Sequence, residues 1–313
     1  MRVLHAPVGM LRVHARTLLA ISLVAVASCP AHSAAAQPDH RPVFAYYYAW
    51  WNSDTFGATI EHPTGSADGA SDDPGVLSDT IRQARAAGID AFVVDWLGNE
   101  DRTDLAVQHI MDQGFATSIM FETTHFWGVD DVVQQLKAFY QARLGNPHMA
   151  TLQGKPVIFF WRASTFDNGT WDGIRGEVDP EHRALWIADG DKLGILGGSA
   201  WDGLSPYAIA WSHDPEGQLQ RWGGSVHDTG KLWLPPVSPG CDDSHARATT
   251  CFQPRSVDYY QSTWNGALAS GPDAVVVSTF NEWMENTQIQ ASAEDGDAYL
   301  AATRSNASAL SGL

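Results

Sequence analysis

The sequence is poor in several kinds of residue, and each shortage removes a class of function. Only 3 Cys occur in 313 residues, with no Cys-x-x-Cys pair, which counts against a structural zinc site. The 12 His form no His-Glu-x-x-His motif and no carboxylate-rich calcium loop is present, so no metal is expected. There is no Gly-x-Ser-x-Gly elbow for a serine hydrolase and no glycine-rich phosphate cradle, so nucleotide chemistry and a bound cofactor are not expected. Basic residues are scarce, 19 Lys+Arg against 36 Asp+Glu, for a net charge of −17. Nucleic acid and anionic membrane surfaces need the opposite balance, so neither is an expected partner.

The first 36 residues read as a leader. Arg2, Arg12 and Arg16 form a positive start, and Thr17–Ser28 is an apolar stretch of 12 residues, too short to span a bilayer as a helix. Ala34-Ala35-Ala36 before Gln37 fits the small-residue cleavage rule, so residues 1–36 are expected to be an export signal and 37–313 the mature domain. Val26-Ala27-Ser28-Cys29 fits a bacterial lipobox equally well, in which Cys29 carries a lipid. The protein is thus secreted or periplasmic on one reading and lipid-anchored on the other, with membrane contact only through Cys29. Cys241 and Cys251, the cysteines left in the mature chain, are expected to close a short-loop disulfide.

What is abundant is aromatic: 13 Trp, 8 Tyr and 12 Phe. Most should be core, but the excess of Trp and Tyr suits a surface that stacks on sugar rings. Along the mature chain, apolar runs of strand type alternate with helical spacing. Val43–Trp51, Ile89–Leu97, Ala116–Glu122 and Pro156–Arg162 read as strands, with helices between them. Ala163–Lys192 is ambiguous, with His182–Ala188 faintly helical. Leu193–Gly197, Tyr207–Trp211 and Leu232–Pro235 are shorter strand candidates, and Ala274–Phe280 is the last. Helices are expected near Pro215–Trp222, over Val257–Ala269 and over Asp297–Thr303. Eight strands alternating with helices predict an α/β fold, a single-domain (β/α)8 TIM barrel, rather than a doubly wound open sheet.

In such a barrel the active site lies at the C-terminal strand ends. The polar residues there are Asp95, Glu122, Arg162 and the cluster Asn281-Glu282-Trp283-Met284-Glu285. Glu282 and Glu285, three residues apart after an apolar strand, sit close together if the chain turns, and a carboxyl pair is what glycosidic cleavage requires.

The string Ser278-Thr279-Phe280-Asn281-Glu282-Trp283-Met284-Glu285-Asn286-Thr287-Gln288-Ile289 resembles the signature of glycoside hydrolase family 99, endo-α-mannosidases and endo-α-mannanases on a (β/α)8 barrel. Tyr46-Tyr47-Tyr48-Ala49-Trp50-Trp51, Gly88-Ile89-Asp90, Asp95-Trp96-Leu97-Gly98, Trp201-Asp202-Gly203 with Pro206-Tyr207, and Pro235–Gly240 followed by Asp242-Asp243 are similar to other segments of that family, in order. The resemblance implies retaining hydrolysis in which the sugar's own 2-hydroxyl attacks the anomeric carbon. By motif position Glu282 would be the base and Glu285 the acid/base, which leads us to expect Glu285 protonated by burial and Glu282 ionised. Met284, Asn286 and Gln290 depart from the family pattern and leave the sugar open.

Further substrate-binding candidates are Tyr47, Trp50, Asp95, Trp96, Glu122, Trp161, Tyr207 and Asn281, with Trp127 as another stacking candidate. The expected partner is a polysaccharide or oligosaccharide, bound by a monomer. Two alternatives stand beside this reading. One is an Asn-Glu-type retaining glycosidase of another family with Glu122 as nucleophile. The other is a non-catalytic sugar-binding protein on a degenerate barrel.

Overall fold

The computed structural model describes residues 40–65, 69–248 and 251–313; the expected leader and both of its candidate cleavage sites, Cys29 included, lie outside them. The strands are β1 (Val43–Tyr47), β2 (Ala91–Trp96), β3 (Ala116–Glu122), the two-residue β4 (Thr151–Leu152), β5 (Lys155–Trp161), β6 (Leu185–Ala188), β7 (Gly203–Leu204), β8 (Leu232–Trp233), β9 (Pro236–Val237), β10 (Cys241–Asp242), β11 (Phe252–Gln253) and β12 (Val275–Val277). Between them run α1 (Pro74–Ala86), α2 (Arg102–Asp112), α3 (Val129–Arg143), α4 (Asn168–Val178), α5 (Pro215–His227), α6 (Val257–Ala269) and α7 (Ala298–Leu310).

The main sheet runs β8-β7-β6-β5-β3-β2-β1-β12-β9, every neighbour along that path parallel. Its two ends are successive pieces of one segment. Leu234 donates to Leu204 on the β7 side at 3.0 Å, and Val276 of β12 donates to Pro235 at 3.0 Å. Counting Leu232–Val237 as one staggered strand closes an eight-stranded barrel. The stagger falls where Pro235 and Pro236 remove two consecutive N–H donors from the ladder.

Near-continuous apolar strands follow from burial on both faces. Phe44, Tyr46 and Tyr48 share one buried cluster with Val93, Met120, Phe159 and Ile187, the barrel interior. Val43, Ala45 and Tyr47 belong to a second cluster with Phe92 and with Leu77 and Ile81 of α1, between strands and helices. Asp73, Asp101, Asp167 and Asp214 cap α1, α2, α4 and α5 by accepting first-turn N–H groups. Gly88, which ends the first helical unit at φ 78°, leaves no room for a side chain: a Cβ there would lie 2.9 Å from Ala307 Cβ.

Two expected strands are misplaced. The fifth barrel strand is Leu185–Ala188, within the stretch that reads as faintly helical, and Leu193–Gly197 is a 3-10 turn. The sixth is Gly203–Leu204, not Tyr207–Trp211. The ambiguous stretch hides α4, whose apolar face is only Trp171, Ile174 and Val178 and whose interior carries Gly173 and Gly176, so its helical signal is weak. Asp130 lies in the first turn of α3, with Gly128 at the cap position. Cys241 and Cys251 form a disulfide across ten positions, with Cα atoms 5.8 Å apart.

Candidate active site

A cavity of about 330 Å³ opens at the C-terminal strand ends. Glu282 and Glu285 both line it, carried by the loop that leaves β12. That loop folds back on itself: Thr279 N–H donates to Thr287 O at 3.0 Å, and Glu282 N–H donates to Thr279 Oγ1 at 2.8 Å. Trp283, between the two glutamates, is buried in the interior cluster. Asn281 does not line the cavity. Its amide donates to Tyr48 O at 2.8 Å and accepts from Tyr48 N at 2.7 Å, so a side chain continues the β1–β12 pairing beyond the strand ends.

The surroundings of the two glutamates differ, in the opposite sense to expectation. Glu282 is 6% exposed and its carboxyl is pushed well above the usual range, first by burial and then by the charge of Glu285; the Met284 N–H, 3.0 Å from Oε1, pulls the other way. Glu285 is the more open group, its side chain 23% exposed, and it is ion-paired to Arg247. Tyr207 Oη donates to its Oε2 at 3.1 Å and lies 2.7 Å from Tyr48 Oη. Burial, followed by the charge of Glu285, holds the Tyr207 phenol far above its normal pKa, so it is a donor throughout the working range. The expected order of burial is therefore corrected: of the two, Glu282 is the enclosed carboxyl, and among the described residues Arg247 pairs with Glu285 and not with Glu282.

Asp95 and Glu122, on neighbouring strands β2 and β3, form one wall, and burial raises both carboxyls. Trp50, Trp161 and Tyr207 also line the cavity, with Trp161 edge-on to Tyr207 at 4.7 Å. Tyr47 and Trp96 do not. The period-2 alternation turns both outward, Tyr47 to stack on Phe92 with its hydroxyl on Ser71 O, and Trp96, wholly buried, to donate to Asp104. Trp127 follows Glu122 on the β3 loop and is 95% exposed. Of the three departures from the family pattern, only Met284 faces the cavity. Asn286 sits at φ 53°, a conformation Gly and Asn tolerate, and Gln290 is buried against Thr80.

Sequence reasoning missed Tyr48 and Arg247. Tyr48 was recoverable, since it shares the inward parity of Phe44 and Tyr46. Arg247 carries no local signal; Asp243 within its own disulfide loop holds it at 3.0 Å. Asp189 was also missed: it accepts from Tyr207 N at 2.8 Å and Arg162 N at 3.1 Å, and burial lifts it to about 6. Among the described residues no group of three His, Cys, Asp or Glu is placed to hold a metal ion.

The model of glycosyl hydrolase family 99 matches residues 51–299. The glycoprotein endo-alpha-1,2-mannosidase of Xenopus laevis is 24% identical over 253 residues, 71% of this chain and 56% of that protein. The Rattus norvegicus enzyme of that name is 24% identical over 273 residues, 76% of this chain and 57% of its own length. The chain thus spans little more than half the length of these relatives. Among solved structures, the GH99 endo-alpha-mannosidase from Bacteroides thetaiotaomicron superposes with a TM-score of 0.75 at 19% identity, covering 87% of this chain and 97% of that one.

Proposed function

The chain belongs to glycosyl hydrolase family 99, and from that membership we propose that it is an exported retaining glycosidase cutting an α-linked polysaccharide or oligosaccharide within the chain. The observation that carries the reading is that Glu282 and Glu285 line one cavity in unlike surroundings. The names of the relatives make α-mannosides the first substrates to try, and Met284 is the cavity residue that would shift the preference. The Cys241–Cys251 disulfide and the leader support an oxidising compartment outside the cytoplasm.

In the proposed reaction Glu282 takes the proton of the 2-hydroxyl as its oxygen attacks the anomeric carbon. Glu285 gives a proton to the leaving oxygen, and a 1,2-anhydro sugar results. Water then opens that ring, losing its proton to Glu285, while Glu282 returns a proton to the 2-oxygen, so the configuration is retained. A sugar hydroxyl is a weak acid, so a base whose basicity burial has raised suits the step. Tyr207 and Tyr48 orient Glu285 through the hydroxyl chain.

The electrostatics favour a second reading with the roles exchanged. In the resting site burial favours the protonated form of Glu282, while Glu285 is paired with Arg247. The two readings separate on an aryl glycoside with an activated leaving group. A variant lacking the acid regains turnover on that substrate, because the leaving group needs no proton; a variant lacking the base does not. Rescue of Glu285→Gln but not Glu282→Gln supports the first assignment. The reverse pattern refutes it in favour of the second.

A further inference from the structure

Several buried or half-buried acids of this barrel are tied into its framework. Asp179 accepts from the backbone of Arg183 and Ala184 and from Tyr140; Asp202 accepts from Trp186 N and pairs with Arg175; Asp189 holds the turns of Arg162 and Tyr207. Each carboxylate is paired with donors that the fold itself needs to satisfy. Asp95 has no such ties. It is 4% exposed at the C-terminal end of β2, it lines the cavity, and its Oδ1 is fully enclosed without a hydrogen-bond partner among the described residues. The charge that faces it most strongly is the like charge of Glu122 on β3, with Glu282 beyond.

A carboxyl at a cavity wall that the fold does not pair keeps hydrogen-bonding capacity that a ligand in the cavity can take up. We propose that Asp95 is a recognition residue that hydrogen-bonds one hydroxyl of the sugar ring bound beside Glu282, and so decides which deoxy or epimeric sugars the cavity rejects. The inference rests on the glycosidase reading of the same cavity. Its chemistry follows from the surroundings. Burial and the charge of Glu122 both favour the protonated form of Asp95, which can donate through one oxygen and accept through the other. A sugar hydroxyl does both, and it brings no charge into a cavity that already holds Glu122, Glu282 and Glu285 beside Arg247. A neutral, hydroxylated ring is therefore the ligand class.

A site built to bond a hydroxyl rejects the analogue that lacks it far more strongly than an apolar wall rejects an added one. The test uses methyl α-mannopyranoside and its four monodeoxy analogues as competitors of α-mannan cleavage by wild type, Asp95→Asn and Asp95→Ala. In wild type, one deoxy analogue should bind at least ~30-fold more weakly than the parent, about 2 kcal/mol at 1.4 kcal/mol per tenfold. Asp95→Ala should bind the parent weakly and no longer distinguish it from that analogue. Asp95→Asn, which keeps a donor and an acceptor, should recover most of the discrimination. Unchanged discrimination in a folded Asp95→Ala variant overturns the proposal while leaving the glycosidase reading in place. A wild-type protein that neither cuts nor binds any sugar overturns that reading, and this inference with it.

Discussion

Replacing Asn281 with Ala tests whether a side chain really extends the barrel ladder. Its amide is the partner of both backbone groups of Tyr48, at 2.7 and 2.8 Å, in a buried setting. Leaving a buried donor or acceptor unpaired costs about 1–3 kcal/mol, so losing both predicts a destabilisation of about 2–6 kcal/mol. Function should fall as well, because the Tyr48 hydroxyl touches Tyr207, which touches Glu285. A misplacement of about 1 Å at a catalytic group can cost ~100-fold in rate. Urea unfolding, read with kcat on any cleaved substrate, gives both numbers. A loss below about 1 kcal/mol together with an unchanged kcat would refute the argument that Asn281 holds Tyr48.

Other perturbations have definite expected signs. Glu282 holds its proton more tightly folded than unfolded, so folding takes up a proton above the ordinary value of 4.5 and stability falls as pH rises. Glu282→Gln should thus be more stable than wild type by a margin that widens above pH 4.5 and closes below it, as urea titrations at several pH values would show. Arg175→Met strips the cation from buried Asp179 and from Asp202, and removes bonds to Ala184 O and Ala200 O. It should lower stability by about 3–5 kcal/mol while the folded fraction keeps its kcat, since Arg175 lies outside the cavity. Opening the disulfide with Cys251→Ser should cost about 2–3 kcal/mol for so short a loop. It should also slow turnover, because Asp243 and Arg247 on that loop bear on Glu285.

Legibility in the sequence tracked how strongly local pattern and tertiary role coincide. β1, β2, β3 and β5 are readable because a strand covered on both faces must be apolar along its whole length, and their Gly-terminated helices punctuate them. β6 and β7 are not, because four and two residues make no periodic signal and α4 lacks the apolar stripe that would have marked their spacing. Glu282 and Glu285 are readable because one loop carries both. The wall opposite in sequence is readable only with the strand's parity: Asp95 faces inward, so its neighbour Trp96 cannot, and Tyr48 rather than Tyr47 reaches the cavity. Arg247 depends on a loop closed by Cys241 and Cys251, and nothing local in the sequence says where such a loop comes to rest. The reversal of burial between the two glutamates is likewise a property of the assembled barrel, since spacing places a pair without saying which member is enclosed.

The central claim is that this cavity hydrolyses a glycan through the Glu282–Glu285 pair. The most direct measurement is reducing-end release by the protein from α-mannans, α-glucans and other polysaccharides, run beside Glu285→Gln. We expect release from an α-linked member, reduced more than ~tenfold in the folded variant, a barrier change above about 1.4 kcal/mol. Release that survives Glu285→Gln undiminished, or a folded wild-type protein that binds these sugars and cuts none of them, would contradict the account.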